Sequence, residues 1–544
     1  MSAAFLAIPS FPGHRAGPLA VASGPGDASD PAEVVAALRA ARVGGCYWGA
    51  AADLPARIGT ILAPDDEAQA AQMLSGLDPA SVAAVAPAAW RLPETVLRLP
   101  PASDPWTLAE SGRAIVAGAD EPLALVATLA GAGPAIAGGG RFAGCAAGED
   151  ALPGVIADRL LAGTTYLSPF TGEPVGALGV IAQLAEWRAL VEANRAVVAV
   201  CGVAGWKRVT ADALLWDGTG PVRHVRLRPP RPGPGGLVLA WKSRTAPSLL
   251  AQIEASGAAV GEIEDGMIRS VGLGANCVPP LSVIVDRQGI YFDPARPSEL
   301  EDILEHGKIG ADACRRAAAL RATLVAQAIS KYGRETGVVR PRTAGKRLVL
   351  VAGQVADDRS MLSGGGDVTN LDLIRRAREL EKDAHIVYKP HPDVEAGHRK
   401  GRIADEEVLR HADEVVRDTP ITTLLDAADA VHVITSLAGF EGLLRGKSVT
   451  THGVPFYAGW GLTRDMGAVP PRRTRRRSLD ELVAATLLIY PRYLDPVSRL
   501  PCPAEVLVAR IAAGEAEVTS PLVALRTWQG RANRALARLA GSRR

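Results

Sequence analysis

Three clusters in the second half of the chain carry side chains able to do chemistry, and each follows directly on a stretch that reads as a strand. The first is Gly353-Gln354-Val355-Ala356-Asp357-Asp358-Arg359-Ser360, after an apolar run ending at Val351. It offers two adjacent carboxylates, either as a helix cap in a solvated turn or as a catalytic carboxylate facing a cleft. The second is Tyr388-Lys389-Pro390-His391-Pro392-Asp393. Its prolines fix the backbone around one histidine, and an imidazole held in this way can bond a phosphate or protonate a leaving group. The third is Thr435-Ser436-Leu437-Ala438-Gly439-Phe440-Glu441. Free N–H groups and the positive end of a helix dipole make such a helix start a phosphate site. Thr435 and Ser436 add hydroxyls there, or serve as an ordinary cap, and Glu441 sits one turn in, within reach of ribose hydroxyls. Upstream, Glu264-Asp265-Gly266-Met267-Ile268-Arg269-Ser270 adds two carboxylates and a guanidinium, which read equally as a turn with a surface ion pair. No metal-binding D-x-D pair in a suitable context and no Walker loop is present, and no metal site is expected.

The elements that must hold these clusters alternate. Strands are predicted over 237–241, 260–263, 281–286, 289–292, 347–351, 385–388, 431–434 and 448–451, and helices over 246–255, 299–306, 311–332, 370–382, 421–427 and 439–445. Strands alternating with helices imply parallel sheets with helices on both faces. Ligands of such sheets sit beyond the carboxyl ends of the strands, where the clusters fall. The run Pro229-Pro230-Arg231-Pro232-Gly233-Pro234-Gly235-Gly236 can continue neither a helix nor a central strand and marks a boundary. The expected organisation is a partial module over 1–228, a linker over 229–236, Rossmann-like domains over 237–336 and 346–470, and a helical segment over 471–544.

The first half repeats part of the second in worn form. Ile115 to Asp120, Leu129-Ala130-Gly131 and Arg141 to Gly144 follow the order of Val431 to Ser436, Leu444-Arg445-Gly446 and Pro455 to Gly459, and Tyr166-Leu167-Ser168-Pro169 matches Tyr493-Leu494-Asp495-Pro496. The uncharged stretch Pro122 to Gly140 is long enough to span a bilayer. The repeat makes it a helix and strand of a buried α/β unit instead.

With 544 residues, 48% of them apolar and 22% charged, the chain suits three or four soluble domains of about 100–200 residues each. A net charge of +2 supplies no field that gathers nucleic acid. The basic run Arg472, Arg473, Arg475, Arg476 and Arg477 reads as a solvated face, or as a contact for anionic lipid. Six cysteines without a C-x-x-C pair and no basic region before the first apolar run suit a cytoplasmic protein.

Taken together, EDG-x-x-RS, PPLS-x-x-VD-x-x-GIY-x-D, GQV-x-DD-x-S, YKPHPDV-x-x-G-x-R-x-G, TSLAGFE-x-LLRGK-x-V and G-x-PFYAGWGLT-x-D resemble the KpsC/LipA family of capsule polysaccharide proteins, in order from about Leu237 to Pro503. The resemblance implies a GT-B-like fold, two facing Rossmann-like domains in the second half after a degenerate α/β partial module. It implies a retaining β-Kdo transferase with CMP-Kdo as donor and no cofactor, working on lysophosphatidylglycerol or a Kdo-glycolipid, alongside other capsule biosynthesis and export proteins, at the inner face of the inner membrane. It places the catalytic aspartate at Asp358, with Glu264 or Asp265 orienting the acceptor or moving a proton. It places the donor among Gln354, His391, Thr435, Ser436 and Glu441, with Arg269 or Lys389 pairing with the Kdo carboxylate. The alternatives are a sialyltransferase-like enzyme using another CMP-ulosonic acid, and a non-catalytic assembly factor. The first half departs from the family's two-module plan. It has no KPHP segment and no GQV-x-DD-x-S loop, and Ala119-Asp120-Glu121 stands where a hydroxyl-bearing helix start belongs. Acids beside a phosphate site repel the donor. Residues from near Pro232 onward are therefore expected to bind CMP without the first half.

Overall fold

The computed structural model describes residues 4–22, 24–226, 235–272, 277–331, 333–334, 337, 345–395 and 399–517. Most of the proline-glycine linker, most of the expected boundary at 337–346 and the end of the helical segment lie outside these residues. Two compact units emerge, Met1–Val197 with Leu215–Val222 and Ser498–Leu500, and Val198–Leu214 with Arg223–Val497 and Pro501–Arg544. The boundary expected at 228 therefore falls earlier. Val197–Cys201 and His224–Val225 are strands of the second unit's first sheet, because their apolar residues Ala199, Cys201 and Val225 bury against Val238, Ala240 and Ile253. A chain cut near Pro232 would lose these two strands of the second unit's first sheet.

That first sheet has seven strands in the order Pro501–Cys502, Pro491–Leu494, Ser282–Asp286, Ala259–Asp265, Leu237–Ala240, Val197–Cys201 and His224–Val225. It is mixed rather than parallel throughout: Leu237–Ala240 runs parallel to Ala259–Asp265, but Ser282–Asp286 pairs antiparallel with both Ala259–Asp265 and Pro491–Leu494. The expected strand over 289–292 is a turn, whose Ile290 and Phe292 pack into the core. The helix expected to reach 332 stops at Ala326, and a short antiparallel pairing of Ile329–Ser330 with Gly333–Arg334 follows.

The second sheet is parallel, in the order Glu414–Val415, His385–Lys389, Leu348–Ala352, Ala430–Val433, Ser448–Thr451 and Arg464–Asp465. Numbered along the chain this is 3-2-1-4-5-6, the doubly wound order whose switch point lies between the first and fourth strands. Ion pairs between Arg359, after the first strand of this sheet, and Glu262 on Ala259–Asp265 set the two carboxyl edges against each other. The result is the GT-B-like arrangement of two facing Rossmann-like domains.

The basic run is not a free charged face. Arg473 and Arg477 are buried. Arg473 donates to the carbonyls of Pro455 and Ala458, and Arg477 to those of Leu304 and Gly307 and to Glu481. Arg472 pairs with Glu301 at 2.7 Å. Only Arg475 and Arg476 of the five are exposed. The segment is a strap tying the two domains of this unit, and neither expected reading of the run survives for its other three guanidiniums.

The first unit holds a five-stranded parallel sheet ordered Leu97–Leu99, Val82–Val85, Thr60–Ala63, Ala114–Gly118 and Ala135–Ala137, again 3-2-1-4-5. The likeness extends to detail. In each unit a short helix passes into a π-helical turn, Ala157–Leu161 or Ala484–Ile489, and then a strand. Tyr166 donates to the carbonyl of Leu160 at 2.9 Å, and Tyr493 to that of Leu487 at 2.7 Å, six residues back in both. The uncharged stretch after Asp120 and Glu121 is a buried helix, Pro122–Leu129, and the strand Ala135–Ala137. No helix among the described residues is long and apolar enough to cross a membrane.

One buried polar pair makes the second sheet sensitive to acid. His432 and His452 meet at 3.1 Å between ring nitrogens. Burial, reinforced by His452, pushes His432 down to about 3. Burial, reinforced by Arg376 and Arg464, pushes His452 down to about 4. Unfolded imidazoles titrate near ~6.5, so below that pH the unfolded chain binds protons that the folded chain refuses. The stability these residues contribute is present above about 6.5 and is lost as pH falls toward their folded values. Denaturation midpoints should drop across this window at roughly 1.4 kcal/mol per pH unit for each histidine at most. The double substitution His432→Val/His452→Val should flatten the profile.

Candidate active site

At the switch point of the second sheet, the loops after Leu348–Ala352 and Ala430–Val433 are tied through Gln354. Its amide Nε2 donates to Thr435 Oγ1 at 2.9 Å and to Ser360 Oγ at 2.8 Å, and its Oε1 accepts from the Thr435 N–H at 3.1 Å. Asn370 fixes the Gln354 backbone from both sides. Gln354 and Thr435, expected among the donor ligands, thus commit these atoms to each other and set the positions of the residues that follow them.

Asp358 caps the helix Arg359–Gly364. Its Oδ1 accepts from the Ser360 N–H at 3.0 Å and the Ser360 hydroxyl at 2.7 Å. Ser360 Oγ lies 3.4 Å from Thr435 Oγ1, so a chain of hydrogen bonds runs from the Asp358 carboxylate to the residue before Ser436. Ser436 caps Leu437–Leu444, and Tyr457 donates to its carbonyl at 2.5 Å. Gly439 must be glycine here, since a Cβ would collide with that tyrosine hydroxyl. Asp357 instead turns outward to Arg399.

His391 accepts from the Asp393 N–H at Nδ1, at 3.1 Å. A neutral ring bonded in this way carries its proton on Nε2, a donor. Burial holds the imidazole below its usual range against the pull of Asp393 and Asp358, which keeps it neutral near pH 7. Lys389 is buried and bonds the Arg417 carbonyl. Glu441 is buried and accepts from the Lys331 N–H at 3.3 Å.

Across the cleft, the end of Ala259–Asp265 presents two carboxylates shifted in opposite directions. Glu264 accepts from Trp241 Nε1 at 2.7 Å and from the Asp265 N–H at 3.1 Å. Burial, with the neighbouring Asp265, raises its carboxyl above the usual range, against Lys207 and Arg359. Burial also acts upward on Asp265, but Lys207 and Arg269 overcome it and hold that carboxyl below the usual range. Lys207 reaches Asp265 at 3.0 Å while lying 3.4 Å from the centre of the Trp241 ring. Arg269 is fully enclosed by Asp265, Ser270 and the Val278 carbonyl, which leaves it positioned to brace Asp265 rather than to meet a ligand carboxylate. Arg359 is a guanidinium that stands between the domains beside these carboxylates. It lies 3.0 Å from Glu262 and 3.7 Å from Glu264, and over the Phe292 ring at 4.8 Å. Tyr291 joins both walls electrostatically. Burial raises its hydroxyl to about 12, with Lys331 opposing and Glu264, Asp358 and Asp265 adding.

Arg359, Lys207 and Trp241 escaped the sequence reading. Arg359 was visible as the one cation inside the Gly353–Ser360 loop. Lys207 lies before the linker, and nothing local joins it to Asp265. The corresponding switch point of the first unit is acidic. The Asp120 N–H donates to Asp65 Oδ1 at 3.0 Å, and burial with Asp65 and Asp120 raises Glu121 to about 7. No group of three or more His, Cys, Asp or Glu able to hold a metal occurs among the described residues.

The signature of the family described as "Capsule polysaccharide biosynthesis protein" matches residues 237–336 and 311–493. The capsule polysaccharide modification protein LipA of Neisseria meningitidis serogroup A is 39% identical over 336 residues, 61% of this chain and 47% of that protein. The lipopolysaccharide-processing protein LpsZ of Rhizobium meliloti is 45% identical over 236 residues, 42% of this chain and 53% of that protein. The chain thus spans about half the length of these curated relatives. A solved structure of Thermosulfurimonas dismutans KpsC, a β-Kdo 2,4 transferase, superposes with a TM-score of 0.50 at 31% identity, covering 58% of this chain and 98% of that one.

Proposed function

Because the chain belongs to the KpsC/LipA-type family of capsule polysaccharide biosynthesis proteins, we propose that its second unit is a glycosyltransferase that moves Kdo from CMP-Kdo to a lipid-linked acceptor with retention. The observation that carries this reading is the hydrogen-bonded line from Asp358 through Ser360 to Thr435 at the switch point, opposite a protonatable Glu264. The CMP phosphate lies at the start of Leu437–Leu444, where free N–H groups and the helix dipole favour it, and His391 Nε2–H donates to its oxygens. No metal is called on, because a monophosphate leaving group carries less charge than a pyrophosphate and these donors can stabilise it.

The steps balance as a double displacement. A carboxylate oxygen of Asp358 bonds to the anomeric carbon as the bond to the CMP phosphate oxygen breaks, and CMP leaves with that electron pair. An acceptor hydroxyl then attacks the same carbon from the opposite face and the Asp358 ester opens. The hydroxyl proton passes to Glu264, whose raised carboxyl is matched to that task. Asp265, fixed by Lys207 and Arg269, is a positioning residue. Two inversions leave the β configuration unchanged. The acceptor is lysophosphatidylglycerol or a glycolipid already bearing Kdo, and the reaction takes place at the inner face of the inner membrane beside other capsule biosynthesis and export proteins.

Incubating the full chain with CMP-Kdo and a synthetic mono-Kdo lipid tests this. The expected result is a product heavier by one Kdo with release of CMP, and CMP-sialic acid should not substitute. Absence of both transfer and CMP release would overturn the reading. Glu264→Gln separates the two steps. Its steady-state rate should fall by about 10²-fold or more, while the first burst of CMP release persists in rapid-quench measurements.

A further inference from the structure

The first sheet of the second unit has a switch point of its own, behind Lys207 and Trp241. From Val197–Cys201 the chain moves outward to His224–Val225 at the sheet edge, then returns to place Leu237–Ala240 on the other side of Val197–Cys201. Loops leaving the carboxyl ends of the two central strands therefore part in opposite directions, which opens a crevice. Here the crevice is a cavity of about 440 Å³. Gly202, with φ +75°, lets the two loops close at its base, where a Cβ would stand 2.5 Å from Thr245 Oγ1 and 2.7 Å from the Trp241 carbonyl.

The lining of this cavity is basic. Arg208, Arg226, Arg244 and His224 contribute to it, and no carboxylate does among the described residues. Each arginine comes from a different segment. Arg208 is half-buried. Arg226 and Arg244 are exposed at the rim. His224 is held by Asp212 at 2.6 Å. Guanidiniums from three segments around one concave site suit planar and tetrahedral oxyanions that accept several hydrogen bonds at once. The volume exceeds that of a bare phosphate and accommodates an ester with a small substituent.

We propose that this cavity is a phosphate-ester subsite, which rests on the transferase reading only in placing the ester on the acceptor side of the enzyme. Arg208, Arg226 and Arg244 grip the phosphate oxygens, and the apolar floor takes the carbon substituent.

The test uses the full chain with three probes: sn-glycerol 3-phosphate, inorganic phosphate, and phosphatidylcholine vesicles containing lysophosphatidylglycerol. Binding is read by titration calorimetry for the soluble probes and by co-sedimentation for the vesicles, with the emission of Trp206, which also lines the cavity, as a local signal. Saturable binding of at least one probe is expected, weakened tenfold or more by Arg226→Gln/Arg244→Gln. Both side chains are exposed, so the variant should keep the unfolding temperature of the parent. Binding by vesicles alone assigns the ester to a lipid headgroup, and binding by soluble probes alone assigns it to a free ester. CMP affinity should not change in the variant, so failure of this subsite is separable from failure of the donor site. Absence of saturable binding in all arms would overturn the proposal, as would equal binding by parent and variant. Arg244→Lys, which keeps charge but loses the planar fork, should bind at intermediate strength.

Discussion

Asp358→Asn should abolish Kdo transfer, by about 10³-fold or more, while leaving the unfolding temperature close to that of the parent. The prediction is sharp because Asp358 has two roles that this substitution divides. As a helix cap it accepts from the Ser360 N–H and hydroxyl through one oxygen, and asparagine caps about as well as aspartate. As a nucleophile it needs a charged oxygen, which the amide lacks. Asp358→Ala should lose the same activity and in addition about 1 kcal/mol of stability with the cap. If the cap were its only function, the asparagine variant would turn over normally. Rates of CMP release and denaturant midpoints measured on the same preparations decide between these outcomes.

Arg188→Met should destabilise the first unit by about 3–5 kcal/mol. Arg188 and Asp104 form an ion pair at 2.8 Å with side chains 6% and 0% exposed. Arg188 also bonds the carbonyls of Arg42 and Tyr47, and Asp104 caps Pro105–Ala109 through the Trp106 N–H at 3.0 Å. Removing the guanidinium leaves a buried carboxylate whose burial already raises it, against the pull of Arg188. That asymmetry makes breaking such a pair far costlier than the net worth of forming it. Chemical denaturation followed by a tryptophan signal from the first unit should show the shift. CMP binding should remain within about twofold, because every donor-side residue lies in the second unit. A comparable loss of CMP affinity would mean that the first unit shapes the donor site.

What the sequence made legible follows from what is local. Strand ends, a proline-clamped histidine and a hydroxyl at a helix start are short-range signals, and His391, Ser436 and Asp358 fell where such signals put them: after strands, on the edge of one sheet. The 3-2-1-4-5 order shared by both units was foreshadowed by the worn repeat from Ile115 to Gly144. Sequence reasoning went astray where distant segments meet. The proline-glycine run punctuates the backbone but does not divide the units, since Val197–Cys201 belongs to the sheet beyond it for reasons of burial. Arg473 and Arg477 looked like surface charge, because nothing in a basic run announces that backbone carbonyls will satisfy it. Arg269 looked available for a ligand until its three internal partners came into view. Lys207 could not be paired with Asp265 across 58 residues by any spacing rule. The contrast between Glu264 and Asp265, adjacent and chemically alike, arises wholly from which cations the fold brings to one of them.

The most direct measurement is a crystal structure of the full chain soaked with CMP. The expected map shows the nucleotide between the two sheets of the second unit, with its phosphate at the start of Leu437–Leu444 and within reach of His391 Nε2, and with the free oxygen of Asp358 facing the ester position of that phosphate. Nucleotide bound elsewhere, or Asp358 turned away from it, would contradict the assignment.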